Sequence, residues 1–150
     1  MAIAELLDSS SVFIPLEASG KEEIIRAMIG GLEQSGCLTD KAAYLEAVLN
    51  REQTGSTGIG FGVAIPHGKS KGVSRAGIAF ARLSRPADWA SLDGQPVQAV
   101  FMIAVPEAAE GNEHLKILIA LSRKLIDDQF RSSLLQVRAA AELNLLLETI

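Results

Sequence analysis

Apolar residues recur along this chain with two different periods. From Ser19 to Gly36 the period is helical: Ile24, Ile25, Met28, Ile29 and Leu32 fall on one face. Ser19, with Glu22 three residues on, reads as a capping box, and Gly36 as the helix stop. Gly30 and Gly31 sit inside the pattern and weaken its last turn. A second helix is expected from about Asp40 to Gln53, with Ala43, Tyr44, Ala47, Val48 and Arg51 on related turns. The period then falls to two. Gly58, Gly60 and Gly62 alternate with Ile59, Phe61, Val63 and Ile65, which predicts extended chain with one apolar face and one nearly bare face. Pro66 disfavours helix at Ile65 and withholds a ladder hydrogen bond, so the strand is expected to end at His67-Gly68.

The flanks follow the same logic. Ile3–Leu7 reads as a helical turn, and Val12–Ile14 as a short strand closed by Pro15. Gly77–Leu83 is a strand interrupted at Arg85-Pro86, and Ser91–Gly94 is a turn by composition. Val97–Val105 is a continuous apolar run ended by Pro106, the pattern of a strand covered on both faces. Asn112 is the expected N-cap of a helix whose apolar face carries Leu115, Leu118, Ile119, Ser122 and Leu125. Asp127-Asp128 breaks it, and helices follow at Phe130–Val137 and Ala139–Leu147. Together these predict three or four strands in one mixed sheet with helices on both sides: an α/β, three-layer α/β/α sandwich. No linker or repeat divides residues 1–150, so one domain is expected.

Composition narrows the functions. A net charge of −4 argues against a general nucleic-acid binder. No apolar run approaches the ~20 residues needed to cross a bilayer, and the first residues lack a secretory pattern, so the expected location is cytoplasmic. Cys37 is the only cysteine, so no internal disulfide can form; it reads as a packed thiol. Two histidines and one cysteine make a poor metal set.

Charge is not spread evenly. Between Gln53 and Ala87 there is no Asp or Glu, yet Lys69, Lys71, Arg75, Arg82 and Arg85 lie there with His67. That is a local positive field suited to an anionic group or an acidic partner surface. A neutral histidine is a nucleophile or base near pH 7, and His67 sits at a stiff point between Pro66 and Gly68. The amides of Gly68 and Lys69 are candidate donors to phosphate oxygens. A satisfied structural histidine is the alternative. His114, expected near a helix N-terminus, would tend to stay neutral and orient His67 or share phosphate. Arg51 offers a planar fork for a phosphate. Stronger motifs fail. Gly68-Lys69-Ser70 lacks the upstream glycine of a P-loop, Val63 spoils a dinucleotide fingerprint, and no serine has a nucleophile-elbow setting.

Four blocks, in order, resemble one family. Arg51-Glu52, Ser56–Gly60 and Gly62–Lys69 are followed by Asp88-Trp89 with Ser91–Val97, then by Phe101–Pro106 with His114-Leu115, and last by Asp127–Leu134. The chain thereby resembles the fructose/mannitol-type EIIA proteins of the bacterial phosphoenolpyruvate-dependent sugar phosphotransferase system, closest to the fructose branch. The resemblance implies the mixed-sheet sandwich of that family and a phosphocarrier role. The histidine matching His67 would accept phosphate from phosphorylated HPr and pass it to a cysteine of an EIIB component. The residues matching His114 and Arg51 would lie at the site. No cofactor or metal is implied, and the membrane EIIC would be engaged only indirectly. Cys37 does not match an EIIB cysteine motif. A nitrogen-type regulatory EIIA, acting by phosphorylation-dependent protein binding, is one alternative, and a structural or sensory binding domain that has kept the fold and lost transfer is the other.

Overall fold

The computed structural model describes residues 3–108 and 113–150, the side chains of Glu113 and His114 excepted. The expected N-cap Asn112 and the side chain of His114 therefore lie outside the described residues. A 3-10 turn (Ile3–Leu6) leads into β1 (Leu7–Leu16), α1 (Lys21–Gln34) and α2 (Lys41–Gln53). Then come β2 (Gly58–Gly60), β3 (Val63–Ala64), β4 (His67–Ser70), β5 (Gly77–Ala87) and β6 (Val97–Pro106). Helices α3 (Glu113–Leu125), α4 (Asp128–Gln136) and α5 (Ala140–Leu147) follow.

Among the described residues the strands form one six-stranded mixed sheet in the order β1-β5-β6-β3-β2, with β4 also on β6. β5 and β6 are antiparallel; β1 runs parallel to β5, and β3 and β4 parallel to β6. β6 explains its own composition. Val100, Met102 and Ala104 pack with α1 and α2, whereas Ala99, Phe101, Ile103 and Val105 pack with α3, α4 and α5. A strand covered on both faces has no polar side to show. This is the expected three-layer α/β/α sandwich, with more strand segments than the three or four read from the sequence.

The departures have physical reasons. β1 extends through Pro15 to Leu16 because it pairs only with β5, and an edge strand tolerates a residue without an N–H. β5 continues past Arg85-Pro86 because the ladder shifts register between Arg82 and Ala87. The cap of α1 is Gly20, without a side-chain cap; Ser19 bonds Glu23 instead at 3.3 Å, and Glu22 pairs with Arg26. The apolar face of α1 is as expected, and Gly31 within it is required. A Cβ there would stand 2.8 Å from the Phe13 ring and 2.9 Å from the Ser10 carbonyl, so α1 can reach β1 only at a glycine. On α3 the buried residues are Ile117, Leu121 and Leu125, while Leu115 and Ile119 are exposed. The continuous apolar run at residues 117–121 spans more than one face of the helix, and packing chose the side that carries Ile117, Leu121 and Leu125.

Candidate functional site

The site is built on the far edge of β6. β3 pairs Val63 with Ala99 and Ala64 with Val100; β4 then pairs His67 with Ile103 and Gly68 with Ala104. The strand does not end at His67, as Pro66 led one to expect, but breaks and resumes on the same partner. The reason lies in the two residues of the break. Pro66 needs only to accept, and its carbonyl takes the Ile103 N–H at 3.0 Å. The N–H of Ile65 goes outward to the Thr57 carbonyl at 2.9 Å.

The glycine run is a hairpin, not a bare strand face. Gly60 pairs with Val63 around Phe61 and Gly62, whose φ values are 61° and 77°. Two consecutive positive φ angles define the mirror-image turn that suits strand twist. Phe61 holds this conformation with its N–H on Asp93 Oδ2 at 3.1 Å and its half-exposed ring 4.3 Å from the Arg131 guanidinium carbon. Gly58 is glycine because a Cβ would run into Ser91.

His67 is half-buried. Register tells which way it points. Paired residues of adjacent strands share a face, so His67 lies with Ile103 on the side covered by α3, and Gly68 lies with Ala104 on the side of α2. A Cβ on Gly68 would meet Val48, Ala47 and Tyr44 of α2 at 3.2–3.3 Å. The glycine beside the histidine thus admits α2 rather than a partner. Tyr44, buried in α2, donates its hydroxyl to the Ile103 carbonyl at 2.7 Å and ties that helix to the strand beside His67.

The ring itself has a defined tautomer. Nδ1 lies 2.9 Å from the Ile65 carbonyl, and a carbonyl can only accept. Nδ1 therefore carries the proton, and in the neutral ring the basic lone pair is on Nε2.

Arg51 ends α2, one turn beyond Ala47 and Val48. Its Nη1 donates to Thr54 Oγ1 at 3.1 Å and to the Gly55 carbonyl at 2.9 Å, closing the loop that leads to β2. His114 belongs by its backbone to the first turn of α3, on the same side of the sheet as His67. The basic field is narrower than the sequence suggested. Lys69 follows His67 on the same face of β4, and Lys71 is exposed just after it. Arg75 instead donates to the Ser35 carbonyl, and Arg82, paired with Ala99 at the other end of β6, donates to the Leu135 carbonyl. Gly68 and Lys69 lie within the ladder to β6, not in an open loop.

One cluster escaped sequence reasoning as chemistry. The Thr57 hydroxyl donates to Glu52 Oε1 and accepts the Trp89 indole N–H at 3.0 Å. Glu52 Oε2 lies 2.5 Å from Lys21 Nζ, with the Glu52 side chain only 7% exposed. Ser56 donates to the Trp89 carbonyl at 2.5 Å. Glu52, Ser56, Thr57 and Trp89 all belong to the blocks that carry the family resemblance, and their shared blocks were the available signal. Among the described residues, no cluster of His, Cys, Asp and Glu is placed to hold a metal. No helix there is long and apolar enough to cross a membrane.

A family model described as "Phosphoenolpyruvate-dependent sugar phosphotransferase system, EIIA 2" matches residues 5–149. A fructose-specific EIIABC component of Bacillus subtilis is 45% identical over 139 residues, covering 93% of this chain and 22% of that protein, so the chain spans about a fifth of that relative. Among solved structures, the nitrogen regulatory protein IIA-Ntr from Neisseria meningitidis matches with a TM-score of 0.88 at 38% identity, covering 97% of this chain and 98% of that one. The mannitol enzyme IIA of Escherichia coli, solved in complex with phosphorylated enzyme IIB, matches with a TM-score of 0.81 at 25% identity, covering 97% and 100%.

Proposed function

The chain belongs to the EIIA type 2 family of the phosphoenolpyruvate-dependent sugar phosphotransferase system, and from that membership we propose that it is a phosphocarrier whose working atom is Nε2 of His67. The observation that carries this reading is the bond from His67 Nδ1–H to the Ile65 carbonyl. It makes Nε2 the nucleophilic nitrogen and stabilises the positive charge that develops on the ring as Nε2 bonds to phosphorus.

Phosphorylated HPr is the donor. Nε2 attacks phosphorus in line; a new N–P bond forms as the bond to the donor breaks, and the donor leaves with the electron pair. In the second step an EIIB thiolate attacks the same phosphorus, an S–P bond forms, and His67 returns to the neutral tautomer from which it started. In phosphoryl transfer, positioning and charge neutralisation carry most of the catalysis. Arg51 is assigned to the phosphoryl oxygens through Nη2 and Nε, while Nη1 holds the Thr54–Gly55 loop. His114 is assigned to the same group from the first turn of α3. Lys69 adds positive charge on the His67 face. No cofactor is required. Residues 1–150 are read as one EIIA module, at work in the cytoplasm, that reaches the membrane EIIC only through EIIB.

The fructose branch is favoured over the nitrogen-regulatory one by the higher identity to the fructose-specific relative, 45% against 38% for IIA-Ntr. The regulatory reading keeps the same phosphohistidine and differs only in what the phosphorylated chain contacts. Intact mass after mixing with phosphoenolpyruvate, Enzyme I and HPr tests the first step. The expected result is a gain of one acid-labile phosphoryl group (about 80 Da), absent in His67→Ala. An unchanged gain in His67→Ala would refute the assignment. Transfer onward to a fructose-type EIIB would separate transport from regulation.

A further inference from the structure

The Ile65 carbonyl can orient His67 only if it is itself held in place, and the hold is a chain of contacts leading away from the site. Ile65 is buried, and its N–H is bonded to the Thr57 carbonyl at 2.9 Å. The following residue, Pro66, has no N–H with which to fix the peptide, so this bond and the Ile103 N–H on the Pro66 carbonyl are the two that set the break between β3 and β4. Thr57 is in turn immobilised at its side chain. Its hydroxyl donates to Glu52 and accepts from Trp89 Nε1, so both functions of the hydroxyl are used and its rotamer is determined. Glu52 is locked by the ion pair to Lys21, which also stands 5.4 Å over the Trp89 ring. Three segments distant in sequence meet here: Lys21 from α1, Glu52 from α2 and Trp89 from the loop after β5. None of these side chains is assigned a contact with substrate.

We infer that Thr57, clamped by Glu52 and Trp89, is the positioning residue that keeps the Ile65 carbonyl on His67 Nδ1 and thereby keeps the ring in the tautomer with its lone pair on Nε2. An imidazole that loses its Nδ1 acceptor drifts toward the Nε2–H tautomer, whose lone pair faces the chain instead of the incoming phosphorus. Groups that orient a histidine through its other nitrogen commonly change its affinity or rate by ~10–100-fold when removed. The inference rests on the reading of His67 as the phosphate acceptor, but its primary readout does not require phosphate.

The test is the imidazole nitrogen spectrum of His67 in the unphosphorylated protein, recorded across the neutral to alkaline range for the wild type, Thr57→Val and Thr57→Ser. The wild type is expected to show a protonated Nδ1 and an unprotonated, pyridine-like Nε2 nitrogen resonance. Thr57→Val preserves shape and removes both hydroxyl contacts; its His67 is expected to shift toward the Nε2–H form, with phosphate acceptance slowed about tenfold. Thr57→Ser restores the hydroxyl, so tautomer and rate should return to within about twofold of wild type. A wild-type His67 in the Nε2–H form would overturn the inference, as would a folded Thr57→Val with wild-type tautomer and rate. Should Thr57→Val fail to fold, Glu52→Gln takes its place: it keeps the volume but loses the charge paired with Lys21, and an unmoved His67 spectrum there would also overturn it. If the tautomer shifts as expected while no variant, wild type included, accepts phosphate, the positioning role stands and the phosphocarrier reading fails.

Discussion

Replacing Tyr44 with Phe removes one oxygen from the joint between α2 and β6. The ring keeps its place against the Gly68 backbone, since the contact there is through a ring carbon. What is lost is the 2.7 Å bond to the Ile103 carbonyl, made by a side chain with no exposed surface. The Ile103 carbonyl keeps its place in the ladder to β4, so what is lost is the net worth of one buried hydrogen bond, ~0.5–1.5 kcal/mol. Phe recovers part of this because it no longer buries a hydroxyl, which leaves about 1 kcal/mol. For a chain of this length that is a melting temperature lower by about 2–4 °C. Urea unfolding gives the free energy directly, with an unchanged slope expected because the surface exposed is the same. A loss below ~0.5 kcal/mol would mean that the bond does not tie the layers together and would refute the reasoning. A second arm uses pH. Burial, with a smaller contribution from the neighbouring Cys37, raises the Tyr44 pKa far above its ordinary 10.0. The neutral phenol is therefore favoured in the folded state. Its stabilisation is complete below the unfolded value and falls as pH rises above about 10, because the unfolded state alone ionises. Tyr44 is the only tyrosine, so tyrosinate absorbance reports it alone and should appear only with unfolding. Early ionisation without unfolding would contradict its burial.

Three further outcomes are expected. Gly72→Ala drives a Cβ into the backbone oxygen of Asp40 and to 3.1 Å from Ala43, at the N-terminus of α2; a loss of about 2–3 kcal/mol in urea unfolding is expected, and a neutral result would mean that the turn relaxes freely. Asp93 accepts the N–H groups of Gln95 and Phe61, which lower its pKa. The hairpin tip should therefore be held above the ordinary carboxylate range and loosen as pH falls through the depressed folded value. Amide exchange at Phe61 and Gln95 measures this, and Asp93→Asn should abolish the pH dependence. Arg51→Ala should slow phosphate acceptance about tenfold or more if its guanidinium reaches the phosphoryl oxygens; a normal rate with only lowered stability would reduce Arg51 to its clamp on Thr54 and Gly55.

The sequence was most legible where the cause of a structure is local. The apolar faces of α1 and α2 follow from spacing of three and four residues; that of α1 is buried throughout, and that of α2 at Tyr44 and Val48. β6 announced burial on both faces because it has almost no polar residue between Val97 and Val105. His67 stood out through its neighbours in sequence, and the order of the blocks around it named the family. Legibility failed where two patterns fitted equally well, or where one residue type has several causes. α3 offered two apolar faces. The alternating glycines fitted a strand, but Gly60 and Gly62 serve a turn, Gly58 yields to Ser91, and Gly68 yields to α2.

By itself, then, the sequence determined the main elements, the layers and the histidine proposed as reactive, because propensity, periodicity and motif are properties of neighbours along the chain. Only the tertiary structure decided how that residue is presented. The break at Ile65-Pro66 is set by Thr57 and Ile103, the clamp on Thr57 by Trp89 32 residues away, and the seat of α2 by Tyr44 on Ile103 59 residues away. Hydrogen bonds of that span have no periodicity to betray them. They exist only once β6 has brought β3, β4 and α2 to one edge, and it is there that the orientation of His67 is settled.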